Sequence, residues 1–413
     1  MTSETKLRSG PLSGLRVIEL AHVMAGPACG RLLADLGADV IKLERPGGED
    51  SRHMAPPWLG TDSAAYVMMN RNKRDVCIDL KTRAGKQAFL DLARTSDVVI
   101  ENFRKGTMER LGIGYEALST ANPGLIYCEI SGYGRTGPMA SDGGFDLMAQ
   151  AMSGLMSFTG EGPGRPPVKI GAPVADIGAG MLATVGVLAA LREREQSGEG
   201  QKVDTSLYEA ALFQTLWQSA IHLADGSVPE ALGSAHPLDG PYQAFQTADR
   251  WIVVGAANQA NWLRLTKAID AEHLAEDARY ADNPARMKHL ADLVADLEPI
   301  FRSRSSADWL GTLEAGGVPA APILSMDEVA SHPQALAREM FVDIRHPELG
   351  EIRTLGLPIK LSRTPGKVEG TQSPRLGQHA AEVLREAGWS KEQIEAAFAE
   401  GAVLSDETSI AAQ

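Results

Sequence analysis

Short apolar runs alternate with segments of helical periodicity over the first 135 residues. "LRVIEL" (Leu15–Leu20) predicts a strand that ends in the turn "AHVMAGP", and a helix is expected from about Ala28 to Leu36. Gly37 then leads into "DVIKLE" (Asp39–Glu44), a second strand. "RDVCIDL" predicts a third strand, "KQAFLDLAR" a helix, "DVVIEN" a fourth strand and "LIYCEISG" a fifth. Strands separated by helices of this length imply parallel βαβ units and an α/β, doubly wound, Rossmann-like sheet. Such sheets bind ligands outside the carboxyl ends of their strands.

Further along, a helix is predicted from Asp176 to about Glu195, closed by the charged stop and glycine turn of "REREQSGEGQ". "VDTSLYEAALFQTLWQSAIHL" reads as another helix, and Asp225–Pro241 is turn-rich. The expected layout is a large domain over 1–215, a linker over 216–240, a smaller α+β domain over 241–318, a linker over 319–335, and a return to the large domain over 336–413. Two amphipathic helices broken by Gly388 end that return. Ile177–Leu191 is fifteen residues without a charge, short of the ~20 needed to span a bilayer, and reads as a buried core helix.

Composition narrows the partners. A net charge of −13 disfavours nucleic acid and anionic membrane, but leaves room for a small anionic ligand where positive charge gathers locally. It gathers at Arg71, Lys73, Arg74 and Lys81, and again at Arg104, Lys105 and Arg110, beside predicted strand ends. The first turn lacks the glycine spacing of a dinucleotide fingerprint, and Arg45 stands where an acid would take a ribose diol, so NAD chemistry is disfavoured. Three scattered cysteines and no secretory signal suggest a reduced, cytoplasmic protein. With no CxxC or HxxxH pair, no metal site is expected. His22 and His236 read as structural, and Cys29 as a small core residue.

Asp176 follows "VKIGAPVA" and precedes a long run of helix formers, which predicts an N-cap position where helix N–H groups and the macrodipole favour the ionised form. A partly desolvated carboxylate can attack a thioester carbonyl, forming a mixed anhydride without ATP. The bland alternative is that Asp176 is a cap and nothing more.

Eight strings in order single it out: "HVMAGP", "DVIKLERP", "RNKRDVCIDLK", "ENFRKGTMERLG", "SGYGRTGP", "GFDLMAQAMSGLM", "GQKVDTSL" and "LGQHAAEVL". Together they resemble the class III CoA-transferases, the family of formyl-CoA and carnitine CoA-transferases, from about Leu12 to Val403. The resemblance implies that Asp176 is the nucleophile, within a G-x-P-x-x-D context set by Gly171 and Pro173. It places CoA contacts at Val23, Met24, Ala25, Arg45, Ile78 to Lys81, Asn102, Phe103, Arg104 and Arg110. It implies CoA transfer from an acyl-CoA to a free carboxylic acid through an aspartyl mixed anhydride and an aspartyl-CoA thioester. No cofactor is permanently bound in that scheme, since acyl-CoA is a substrate. It also implies an interlocked, ring-like homodimer. Two departures matter: Met24 stands where formyl-CoA transferases carry Gln, and Gly233–Val254 lacks their run of glycines. That segment looks more like the dicarboxylate branch using succinyl-CoA.

Rival readings are an α-methylacyl-CoA racemase, a non-catalytic CoA-binding paralogue and an NAD-linked dehydrogenase. A racemase needs His where Phe145 stands, and Phe145 cannot exchange a proton. Asp146 beside it is a candidate to orient substrate.

Overall fold

The structure is a computed structural model and describes residues 10–346, 349–368 and 373–406. The chain divides into two compact units. The larger comprises the residues up to Leu155, Ile170–Ser219, and those from Pro333 on; the smaller comprises Met156–Lys169 and Ala220–His332.

Six parallel strands form the frame of the larger unit: β1 (Arg16–Glu19), β2 (Asp39–Glu44), β3 (Lys73–Ile78), β4 (Val98–Glu101), β5 (Ile126–Ser131) and β6 (Lys202–Ser206). Their order across the sheet is β3-β2-β1-β4-β5-β6, and Val403–Leu404 adds a short antiparallel edge beside β3. Five of these strands fall on the apolar runs. The strand β6 takes the first residues of the helix expected from Val203, which begins instead at Leu207 and is broken between Phe213 and Leu216. "KVDTS" is polar and sits at the sheet edge, where one β-branched pair suffices to continue the ladder with β5.

Chain direction along the sheet reverses between β1 and β4, so the crevice at their carboxyl ends is the topological switch point. One sheet face is covered by α2 (Arg83–Arg94) with the helices Ala380–Glu386 and Lys391–Ala399; Phe89, Leu92, Val383 and Leu384 are fully buried there. The other face carries α1 (Ala25–Asp35) and α4 (Val174–Ser197), with the shorter helices α3 (Asp146–Met152) and α5 (Leu207–Phe213) beside α4. Gly180 lets α1 and α4 approach closely: a Cβ there would lie 2.6 Å from the Ala25 carbonyl oxygen. Among the described residues α4 alone is long and apolar enough to cross a membrane, and it is packed along one side on α1, β5 and β6.

The smaller unit is α+β. A three-stranded antiparallel sheet, β7 (Tyr242–Gln246), β8 (Trp251–Gly255) and β9 (Ala320–Pro322), has β8 at its centre. Phe245, Trp262, Leu297, Phe301 and Leu313 make its core, with the Phe245 and Phe301 rings stacked at 4.7 Å. Two stretches read as linkers are structured: Leu216–Asp225 is helical, and β9 lies within 319–335. The first falls largely within the helix read from Val203 to Leu223, although it was also assigned to the linker, and the second was masked by neighbouring Pro and Ser turn signals.

Candidate active site

Two cavities of about 480 Å³ each open at the switch point. They share His22, Phe103, Thr107 and Arg110. One is floored by Leu20, Leu43, Ile78, Leu80 and Leu111, with Arg45, Lys81 and Arg110 at its rim. The other is lined by Asn102, Arg104, Lys105, Arg135 and Gly143–Phe145. Arg45 pairs with Asp50 at 2.5 Å. Lys81, Arg104 and Arg110 have no carboxylate partner among the described residues, so an otherwise acidic protein presents unneutralised cations at one crevice. An apolar slot beside such cations suits a flat base carrying phosphates, which Arg and Lys hold by charge-assisted bonds.

The turn after β1 is held by groups remote in sequence. The Asn102 amide accepts from His22 N–H at 3.0 Å and donates to His22 C=O at 2.9 Å, linking the turns after β1 and β4. Those bonds engage both ends of the Asn102 amide, which was expected to contact CoA and lines the second cavity while serving as a clamp. Phe103 packs on His22 with ring centroids 5.6 Å apart. Its N–H donates to Glu101 at 2.6 Å, and its C=O accepts from Arg135 at 3.0 Å. Arg135 in turn pairs with Glu101 at 2.7 Å and Glu129 at 3.3 Å. Burial pushes Glu101 up to about 7 against the pull of Arg135. Burial also lowers the His22 pKa, so its imidazole is neutral at pH 7.

Val23 has φ +67° and Met24 is the N-cap of α1. Ala25 is buried as a whole and lines neither cavity. Arg135, Thr107, Leu20 and Leu43 were not singled out from sequence; the "GR" of "SGYGRTGP" and the apolar strand ends were the available signals.

Asp176 is half-buried in the first turn of α4, at the third helical position, not at the N-cap, which is Pro173. The capping acid is Asp146, at the start of α3: its Oδ1 accepts from Ala175 N–H at 2.8 Å. Its other oxygen accepts from the buried Gln150 amide at 2.7 Å, and Gln150 accepts from Ile170 N–H at 2.9 Å. Asp176 accepts no hydrogen bond of its own among the described residues. Burial first, and the Asp146 charge second, push its carboxyl up to about 6. The expected dipole-favoured acid is thus the reverse in sign: desolvation and a like charge outweigh the helix end. Such a carboxylate is still about nine-tenths ionised at pH 7, and more basic than an ordinary one. Gly180, one turn along the same helix, rests on Ala25 and Ala28 of α1. Phe145 lines the second cavity with 74% of its surface exposed. Among the described residues no cluster of His, Cys, Asp and Glu could hold a metal ion.

A basic carboxylate and a cation-rimmed slot in one α/β unit are the means of a transferase that works on a phosphorylated carrier. Comparison with known proteins defines it further. The chain belongs to CoA-transferase family III, whose model matches residues 12–380. It is similar to a succinate–glutarate CoA-transferase of Agrobacterium fabrum, 41% identical over 92% of this chain and 96% of the relative. A succinyl-CoA:mesaconate CoA-transferase of Haloarcula hispanica is 40% identical over 92% of this chain and 97% of its own length. The crystal structure of a CaiB/BaiF family protein from Brucella suis superposes with TM-score 0.83 at 38% identity, covering 92% of this chain and all of the other. The protein is therefore an enzyme of acyl-CoA metabolism that transfers CoA between acids, with CoA thioesters as substrates.

Proposed function

We propose that the enzyme moves CoA from succinyl-CoA to a small dicarboxylic acid, with Asp176 carrying the acyl group and then CoA. The observation that bears this reading is the half-buried Asp176 carboxylate, its pKa raised to about 6 and no hydrogen bond to it among the described residues. An Asp176 oxygen attacks the thioester carbonyl carbon, the C–S bond breaks, and CoA leaves as thiolate, giving a mixed anhydride. The thiolate attacks the aspartyl carbonyl and expels succinate, leaving an aspartyl-CoA thioester. An acceptor carboxylate then attacks that thioester, the thiolate leaves again, and its attack on the acceptor's carbonyl yields the new acyl-CoA and restores Asp176. Each step exchanges one acyl bond for another, so no ATP is consumed.

In this reading the adenine of CoA lies on Ile78 and its neighbours, with Arg45, Lys81 and Arg110 on the phosphates. Asn102, Phe103 and Arg104 line the cavity assigned to the path towards Asp176, with Phe145 at its acid end; Val23, Met24, Ala25 and Asp146 line neither cavity and are assigned supporting positions next to His22 and Phe145. The dicarboxylate preference draws on relatives named for succinate, glutarate and mesaconate. The same reading makes the protein a cytoplasmic, interlocked homodimer. In its favour are the exposed apolar side chains of α4 (Ile177, Met181, Val185 and Leu188) and of α5 (Leu212 and Phe213). Incubation with succinyl-CoA and a panel of dicarboxylates, followed by mass spectrometry of the CoA esters, tests the substrate assignment. A new acyl-CoA should form in step with free succinate and without ATP. Solvent exchange at the α-carbon of a branched acyl-CoA, with no new ester, would favour the racemase instead.

A further inference from the structure

Val23 is the point at which the chain leaves β1 for α1, and it sits in the left-handed region at φ +67°. A β-branched residue there is an outlier, because its Cβ crowds the backbone, and such a residue persists only where its surroundings hold it. Those surroundings are on the far side of the second strand. One Glu49 oxygen accepts from Val23 N–H at 2.9 Å and from Ser51 N–H at 3.1 Å. The other accepts from the Ser51 hydroxyl at 2.7 Å and faces the Lys42 ammonium at 3.3 Å. Lys42 is fully buried, pairs with Glu19 at 3.2 Å and donates to Ala21 C=O at 2.9 Å. The two ends of the turn, Ala21 C=O and Val23 N–H, are thus tied to one buried ion pair, while Asn102 ties His22 between them.

Glu49 also lines the apolar-floored cavity. An acid facing a polyanionic ligand opposes binding unless its charge is offset, and Lys42 offsets it. Although burial alone would raise the Glu49 carboxyl, Lys42 and the Ser51 and Val23 donors bring it below the usual carboxylate range, so it stays an acceptor at neutral pH. Its oxygens point at backbone and Lys42, which leaves it placed to shape the cavity wall.

We propose that Glu49 is a positioning residue for CoA binding: its carboxylate holds Val23 in the left-handed conformation, and so fixes the turn whose first residue, His22, lines both cavities. This rests on the reading of the crevice as the CoA site. A turn that relaxes when the carboxylate is withdrawn is binding-competent only part of the time, and the apparent affinity falls by that fraction.

The test is a double-mutant cycle between Glu49 and Val23, read as the Kd for CoA by calorimetry on the full chain. Glu49→Ala should weaken CoA by about tenfold or more, a loss of ~1.4 kcal/mol. Val23→Gly removes the steric cost of positive φ and serves as the second background, in which only the further cost of Glu49→Ala is read. In the Val23→Gly background, Glu49→Ala should then cost no more than about threefold. Glu49→Gln, whose single acceptor oxygen cannot serve both Val23 N–H and Lys42, should fall between the parent and Glu49→Ala. Should Glu49→Ala not fold, Glu49→Asp serves, because it keeps the charge beside Lys42 and withdraws the oxygen from Val23 by one methylene. An equal loss in both backgrounds, or no loss from folded Glu49→Ala or Glu49→Asp, overturns the proposal. A parent protein that fails to bind CoA overturns the site reading beneath it, a separate outcome.

Discussion

The raised pKa of Asp176 ties activity to stability. Its folded-state value of about 6 lies above the 3.8 of an ordinary Asp, so the folded state favours the protonated acid. The ionised form therefore destabilises the fold. That penalty is absent below about pH 4, grows between about pH 4 and 6, and is complete above about 6. Asp176→Asn should abolish transfer and raise the melting temperature at pH 7.5, with a gain on the order of 1–3 kcal/mol that vanishes near pH 4. Thermal melts at the two pH values check this; an unchanged or lower melting temperature at pH 7.5 would contradict it. The rate with succinyl-CoA should fall with acid, about tenfold per unit below pH 6. Asp146→Asn removes the second cause of the shift while keeping an oxygen for Ala175 N–H, so its acid limb should move to lower pH. An unmoved limb in the pH–rate profile would leave burial as the sole cause.

Packing between elements sets where that carboxylate stands. A Cβ at Gly180 would meet Ala25 C=O at 2.6 Å and the Ala28 Cβ at 2.8 Å, both on α1's first turn. Backbone cannot yield as a flexible side chain does, so Gly180→Ala should separate α1 from α4, cost ~1–3 kcal/mol, and lower kcat more than a change this small elsewhere on α4. Steady-state kinetics beside a denaturant melt would show it; parent-like values in both would mean the helices need no such contact. At this scale the sequence was most legible. β1 to β5 were readable because each is an apolar run bounded by polar residues, and α4 because a long stretch without proline, charge-free from Ile177 to Leu191, follows Asp176. The strand β6 escaped because an edge strand of polar residues carries little periodicity. Asp146 as the cap of α4 escaped because it acts on a helix 29 residues away. Glu49 and Arg135 were hidden because the sequence does not mark which backbone groups and opposite charges will meet them, Val23 N–H and Lys42 for the one, Phe103 C=O, Glu101 and Glu129 for the other.

Across the whole molecule, charge and apolar surface are unevenly spread. The chain carries −13 overall, yet Lys81, Arg104 and Arg110 gather at one crevice, so CoA binding should weaken with salt as these exposed charges are screened. On the larger unit Val185 is 62% and Phe213 63% exposed, more than an isolated apolar side chain in water favours. If these surfaces are the homodimer contact, Val185→Glu with Phe213→Glu should halve the mass seen by light scattering, and a parent already monomeric would contradict the dimer. Each unit folds around its own core, while Asp176, the cationic crevice and the clamped turns all belong to the larger one. The central claim is that Asp176 becomes covalently attached during turnover. Hydroxylamine added to enzyme and succinyl-CoA, followed by mass spectrometry of the peptide carrying residue 176, tests it most directly. The account predicts a hydroxamate on Asp176, absent without succinyl-CoA and absent in Asp176→Ala. An unmodified peptide from enzyme that is turning over would contradict it.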